Sequence, residues 1–211
     1  MDHPFREPAL DDVQRLTKRL LDLLVAGSLV LFLGPLLCAL ALLIKLDSPG
    51  PVIFRQKRIG ENGRIFVMFK FRTMVDGAEN LQREVNQVIG SGHIIHKRNG
   101  DPRVTRFGIF LRRTSLDELP QLFNVCKGDM SLVGPRPEMP WLVERYETWQ
   151  YKRFSVPQGM TGWWQVNGRS DKPMHLHTED DIYYIQNYSL WLDIYILLKT
   201  PLVVMRGKGA Y

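Results

Sequence analysis

Apolar positions crowd into one stretch near the start of the chain, where residues 23 to 44 include no charged side chain over 22 positions. Wound as an α-helix, that stretch measures about 33 Å, enough to cross the hydrocarbon core of a bilayer. Gly34-Pro35 interrupts it near the middle. A proline there removes a backbone donor, frees the carbonyl of Leu31 and bends the helix. The pattern predicts a helix from near Asp11 to the stop at Ser48-Pro49-Gly50-Pro51. Two β-rich runs, Val52 to Gln56 and Ile65 to Phe71, flank Gly60-Glu61-Asn62-Gly63 and predict a hairpin. From Asp76 to Ile89, Ala78, Leu81, Val85 and Val88 recur at helical spacing, and Gly90 to Arg103 reads as a loop. Further helices are predicted around 104–112, 115–126 and 138–153. A glycine- and tryptophan-containing loop, Gly159 to Arg169, precedes helices near 178–187 and 190–205. The last of these, from Leu190 to Lys199, is too short to span; its Trp and Tyr suit either a core or a membrane-interface position.

The flanks of the long apolar stretch decide how it meets a membrane. Lys18 and Arg19 precede it, and Lys45, Arg55, Lys57 and Arg58 follow it. Cations at both ends give a simple crossing no preferred direction. A kinked, re-entrant helix that enters and leaves the same cytoplasmic face satisfies both the kink and the charges. A single span is the alternative on length, and a secretory leader cleaved near Ala39-Leu40-Ala41 is weaker, because the stretch exceeds a usual leader core. The division that follows is 1–47 as lead-in and membrane helix and 48–211 as a cytoplasmic, membrane-associated catalytic domain. The fold class is α+β and mostly helical, with a small β-hairpin or sheet.

With 45% hydrophobic and 24% charged residues among 211, the chain is globular rather than disordered. Its net charge of +6 calls for an anionic partner. No nucleic-acid motif is present, so phosphorylated ligands and an anionic membrane face remain. The two cysteines, Cys38 in the apolar stretch and Cys126 far from it, form no disulfide framework.

The candidate chemistry gathers around Ser115-Leu116-Asp117-Glu118. As plain structure this is a capping box, with Ser115 at the N-cap and Glu118 three residues on. Pro120 strains that reading unless the helix starts later. The functional reading uses the same place: Asp117 at a helix start, beside a metal ion, is a carboxylate nucleophile for phosphorus. Attack of one anion on another needs cations, and Arg112, Arg113 and Arg136 are near in sequence. Arg136 stands between two prolines, preorganised to fork onto phosphate oxygens, although Pro-Arg-Pro alone is also an ordinary rigid turn. Lys70 and Arg72 share one face of a strand with period two, within reach of one anion. His93 with His96, and His175 with His177, have metal-compatible spacing but no carboxylate or thiol partner, and read as loop histidines. Trp163-Trp164 suits base stacking or plain packing.

Several motifs occur together and in order: Lys18-Arg19-Leu20-Leu21-Asp22, Ser48-Pro49-Gly50-Pro51, Arg55-Gln56-Lys57-Arg58-Ile59-Gly60 and Phe69-Lys70-Phe71-Arg72-Thr73-Met74. Thr114 to Gln121, Asn124, Gly128 to Pro137 and Gly159 to Gln165 continue the series. The chain resembles the bacterial sugar transferases, the monotopic polyprenyl-phosphate phosphoglycosyl transferases, from Lys18 to its end. That resemblance implies a re-entrant helix kinked here at Gly34-Pro35. It implies transfer of sugar-1-phosphate from a UDP-sugar donor to polyprenyl (undecaprenyl) phosphate, with release of UMP, at the cytoplasmic face of the bacterial inner membrane. It also implies a covalent phosphosugar on Asp117 formed with Mg2+, Glu118 as the second member of the dyad, and Arg136 in the Pro-Arg-Pro element. Lys70, Arg72 and Arg112 are assigned to phosphate by charge and position. The reaction would be the first membrane step of exopolysaccharide, capsule, O-antigen or glycoprotein glycan assembly, and a homodimer suits such a surface enzyme. Two departures stand out. Gly34 replaces a common serine, and longer relatives carry an additional N-terminal membrane bundle, so the sequence reads as a minimal core or as part of a longer protein. A non-catalytic membrane-anchored binding module is the reading from a different class.

Overall fold

The computed structural model describes residues 10–78, 88–89, 93–94, 101–168 and 178–206. Helix α1 runs from Asp12–Asp47 without a break, Pro35 included. A capping box sets its start: Asp11 accepts from the Gln14 amide at 2.8 Å, and the Gln14 side chain accepts from the Asp11 amide at 3.1 Å. Burial along α1 falls in two places, Lys18, Asp22 and Ala26 near one end, and Leu40 and Ile44 near the other. Steps of four keep each set on one face. Ala26 joins the main core with Leu122, Val125, Leu132 and Ile196, while Leu40 and Ile44 join a second cluster with Phe71 and Leu111. Between them, none of residues 27–39 is buried, and Leu31 and Phe32 are 78% and 80% exposed.

Strands β1 (Ile53–Ile59) and β2 (Ile65–Phe71) form the expected antiparallel hairpin, in register from Ile53↔Phe71 to Ile59↔Ile65. The connection is a 3₁₀ turn, Glu61–Gly63, with Asn62 at φ 52°, a conformation asparagine tolerates. Alternation along the strands puts Phe66, Met68 and Lys70 on one face, and the cross-strand partners Arg58 and Gln56 share it. Helix α2 (Arg106–Thr114) comes next, and helix α3 (Gln121–Lys127) then docks on the edge of β2 through Asn124. The Asn124 side chain accepts from the Phe69 amide at 2.9 Å and donates to the Val67 carbonyl at 2.7 Å, standing in for a neighbouring strand.

Val88–Ile89 (β3) and His93–Ile94 (β4) form a two-residue antiparallel pair. Ser131–Val133 (β5) and Gly159–Thr161 (β6) pair in parallel. Backbones touch beside that pair: a Cβ on Gly159 would lie 2.1 Å from the Gly134 nitrogen, so no side chain fits there. Helices α4 (Pro140–Val143), α5 (Trp163–Asn167), α6 (Glu179–Gln186) and α7 (Leu190–Arg206) complete the described chain. On α7 the buried Asp193 pairs with Lys18 of α1 at 2.6 Å and accepts from the Tyr184 hydroxyl at 2.7 Å, tying three helices together. The opposite face of α7 exposes Trp191, Tyr195, Leu198, Leu202 and Met205, spaced by alternating fours and threes.

The mostly helical α+β class holds, and four expectations need correction. The helix over 138–153 is two pieces, α4 and a 3₁₀ segment Thr148–Phe154, because Glu147 and Gln150 form a capping box that starts a new turn. The stretch Gly159 to Gly168 is β6 and α5 rather than a loop; a three-residue parallel strand is specified by its partner β5, not by its own pattern. The helix over 115–126 is a 3₁₀ turn followed by α3. Of the helix expected over Asp76 to Ile89, residues 76–78 are a turn and Val88–Ile89 a strand paired within the expected loop; 79–87 lie outside the described residues. Cys38 and Cys126 are both free thiols.

Candidate active site

Helix α2 ends at Ser115, whose backbone is left-handed at φ 58°, ψ 16°. A serine held there carries a conformational cost, which marks a turn fixed by its surroundings. The chain then makes the 3₁₀ turn Leu116–Glu118, and Pro120 stands directly before α3, where its missing N–H breaks no helical bond. Ser115 makes no side-chain cap bond to this turn, so the capping box expected from Ser115 and Glu118 does not form. The αL backbone turns the dyad away from a helix start, and Glu118 meets cations instead.

Glu118 is the hub. Lys70 Nζ lies 2.8 Å from its Oε1, and Arg136 forks onto it, Nη2 to Oε1 and Nη1 to Oε2 at 3.3 Å. Lys70 comes from the inner face of β2, Arg136 from the turn after β5, and Glu118 from the turn before α3. The three side chains are only 16–21% exposed. Burial pushes the Glu118 carboxyl up, but the Arg136 guanidinium and Lys70 ammonium outweigh it and hold it well below the usual carboxylate range. Burial pushes Lys70 down from the ordinary lysine value, with Glu118 opposing. Arg136 ends above its ordinary value because Glu118 overcomes the burial cost.

Asp117 is half-buried in the same turn, and its charge acts on Lys70, Arg136 and Arg112. Arg112 donates from Nε to the Thr73 hydroxyl at 2.9 Å; burial lowers its pKa, and the charges of Asp117 and then Asp101 oppose. One acidic turn is thus ringed by three cations drawn from separate elements. Each cation loses hydration in the fold, so an entering phosphate displaces little water from them.

The four carbonyls from Pro135 to Glu138 are all engaged. Pro135 accepts from the Gly159 amide (2.8 Å), Arg136 from Arg153 Nη2 (2.8 Å), Pro137 from Arg58 Nη1 (3.2 Å) and Glu138 from the Ile59 amide (2.9 Å). Arg58 and Asn124 stood in the sequence only as members of ordered motifs, with no contact assigned to them, and Arg153 went unrecognised; none of the three carries a periodic signal.

Arg72 is not brought to this cluster. Strand β2 stops at Phe71, and the Arg72 guanidinium turns to the end of α1, donating to the Ser48 carbonyl and hydroxyl at 2.6 and 2.9 Å. Gly34 and Pro35 lie in the middle of α1, and a Cβ on Gly34 would meet open space. Trp163 packs on Tyr183 with ring centroids 4.8 Å apart, and Trp164 is buried, which uses both rings inside the fold. His96, His175 and His177 lie outside the described residues. A cavity of about 430 Å³ opens at the far end of β2 and α3, lined by Arg15, Lys18, Arg19, Arg64 and others. Its cations already hold Glu61, Asp193 and the last α3 carbonyls, so it reads as a structural crevice.

Among the described residues, no three His, Cys, Asp or Glu side chains converge. Mg2+ does not need them: it takes one or two carboxylates and completes its shell with phosphate oxygens and water. Asp117, next to cations that would hold a diphosphate, fits that donor set, while the Glu118 oxygens are engaged by Lys70 and Arg136.

The family described as bacterial sugar transferase matches residues 13–207. The chain is 43% identical to the undecaprenyl-phosphate galactose phosphotransferase of Salmonella typhimurium, over 93% of its own length and 42% of that protein. It is 41% identical to the UDP-glucose:undecaprenyl-phosphate glucose-1-phosphate transferase of Escherichia coli, over 99% of its length and 44% of that protein. Against the exopolysaccharide production protein ExoY of Rhizobium meliloti the identity is 35%, over 99% of this chain and 94% of the relative. The chain therefore spans less than half of the first two and nearly all of the third.

Proposed function

Because the chain belongs to the bacterial sugar transferase family, we propose that it moves a sugar-1-phosphate from a UDP-sugar to polyprenyl phosphate at a membrane surface and releases UMP. The observation that carries this is the turn of Asp117 and Glu118, held in a strained loop and ringed by Lys70, Arg112 and Arg136. Such a ring suits a diphosphate whose charge must be offset while a carboxylate attacks it. Relatives named for galactose, glucose and N-acetylgalactosamine transfer agree on undecaprenyl phosphate and differ in the sugar, so the sugar is left open.

In this reading the Asp117 carboxylate attacks the phosphorus bearing the sugar. The bond to the UMP oxygen breaks, UMP leaves, and an acyl phosphate joins Asp117 to the sugar phosphate. A phosphate oxygen of the polyprenyl acceptor then attacks the same phosphorus, freeing Asp117 and leaving a polyprenyl diphospho-sugar. Arg136 and Lys70 keep Glu118 ionised and oriented and present spare N–H donors to phosphate oxygens. Mg2+ held by Asp117 would neutralise charge on the transferred phosphoryl group.

We further propose that α1 is re-entrant, with 48–211 on the cytoplasmic face of the inner membrane. The support is that both ends of α1 are seated on the same domain, Ala26 on one cluster and Leu40 and Ile44 on the other. The intervening residues 27–39 make only about 20 Å of helix, short of the ~30 Å hydrocarbon core. The exposed apolar stripe of α7 suits the same interface.

The test is UMP release by nanodisc-held protein with Mg2+, undecaprenyl phosphate and a panel of UDP-sugars. Release dependent on metal and lipid supports the reaction. Labelled sugar phosphate retained on the protein without lipid, and lost in Asp117→Asn, supports the covalent step; turnover with no such adduct would favour direct transfer. Membrane binding without any turnover would favour the binding-module reading.

A further inference from the structure

The Pro-Arg-Pro turn is locked from behind by a second arginine. Arg153 is fully buried at the end of the 3₁₀ segment Thr148–Phe154. Its Nη2 donates to the Arg136 carbonyl at 2.8 Å and lies 2.7 Å from Asp181 Oδ2 on α6. Its Nη1 donates to the Tyr146 hydroxyl and lies 4.0 Å from Glu138 Oε2. A buried guanidinium is costly to desolvate and persists only where its geometry is satisfied. Here the two terminal nitrogens reach the Arg136 backbone, Tyr146, Glu138 and Asp181 of α6, while the buried Nε makes no hydrogen bond among the described residues.

We infer that Arg153 is a positioning residue: it fixes the backbone of Arg136 so that the Arg136 guanidinium forks onto Glu118 and faces the substrate phosphate. The inference rests on the reaction proposed above for its functional consequence, but not for its structural one. The two flanking prolines limit φ at 135 and 137, and backbone bonds from the Gly159 amide to Pro135 and from the Ile59 amide to Glu138 anchor the two ends of the turn. Between those anchors, Arg153 on the Arg136 carbonyl and Arg58 on the Pro137 carbonyl hold the middle. The arrangement also needs arginine specifically, because an ammonium at this place cannot satisfy the Arg136 carbonyl, Asp181 and Tyr146 from one plane.

The experiment uses the full chain in nanodiscs with Arg153→Lys, Tyr146→Phe, Arg136→Ala and the Arg153→Lys/Arg136→Ala double variant. Hydrogen–deuterium exchange over residues 131–139 should rise in Arg153→Lys, and less in Tyr146→Phe, with thermal melting still cooperative. Formation of the labelled adduct should slow by about 10- to 100-fold in Arg153→Lys, the range expected for a mispositioned group. The double variant should lose no more than Arg136→Ala alone, since Arg153 acts through Arg136. Additive losses, or unchanged exchange over 131–139 in both single variants, would overturn the inference. Altered exchange in a protein whose wild type turns over no donor would instead sink the proposed reaction and leave the lock standing.

Discussion

At the scale of single residues, Glu118 is better understood as the organiser of the cation ring than as a second nucleophile. Glu118→Gln would leave Lys70 and Arg136 half-buried without their counter-charge. We expect a loss on the order of 2–3 kcal/mol, moderated because about a fifth of the side chain still meets water. The sign of its pH dependence is fixed by the lowered folded-state pKa. Such a carboxylate stabilises the fold above its unfolded pKa of about 4.3, and that contribution is lost as pH falls through the folded value. Melting curves of wild type and Glu118→Gln should therefore differ at pH 7 and converge in acid. Asp117→Asn should still fold and melt cooperatively yet form no adduct; near-normal turnover in it would remove Asp117 from the role of nucleophile. Much of this site was legible as composition, since a paired acid and nearby bases stood out. Which base meets which acid was not. Lys70 and Arg72 share a face in an ideal strand, but β2 ends between them, and one was turned to Glu118 and the other to α1.

Elements tell a similar story about what a one-dimensional pattern can carry. The hairpin and α1 were readable because their signals are local: alternation around a turn, and apolar length bounded by a cap and a stop. The pieces within 138–168 were not, because β6 exists by pairing with β5 and Arg153 is buried by partners scattered from 136 to 181. Asn124 shows what such a hidden element contact is worth. Asn124→Ala should leave the Phe69 amide and Val67 carbonyl of β2 without partners, at about 2–3 kcal/mol, measured by denaturant or thermal unfolding. For α1, single cysteines at Asp12 and Asp47, in a background lacking Cys38 and Cys126, should both react with an impermeant maleimide from the same face of sealed vesicles. Labelling from opposite faces would mean a crossing helix and would retire the re-entrant reading.

At the scale of the whole molecule, packing crosses the line between 47 and 48 where hydropathy changes. Leu10 and Ala26 belong to the same core as Met68, Leu122, Val133 and Ile196. The buried Lys18–Asp193 pair stitches α1 to α7, and Arg19 satisfies the Val125 and Cys126 carbonyls at the end of α3. A truncated protein starting at residue 48 strips those partners away, uncovering the core face seated under Leu10 and Ala26 and leaving Asp193 without Lys18 and the α3 carbonyls without Arg19. We expect it to show no cooperative melt by circular dichroism, in contrast to the intact chain in nanodiscs.

The two-ended seating of α1 also has a consequence in time. Synthesis makes α1 before Asp193 and Ile196, so the partners of Lys18 and Ala26 arrive last. Under the proposed membrane placement, α1 would wait at the bilayer as a template, and the last-made helix would complete the core against it. Folding of the core would then finish at the membrane surface.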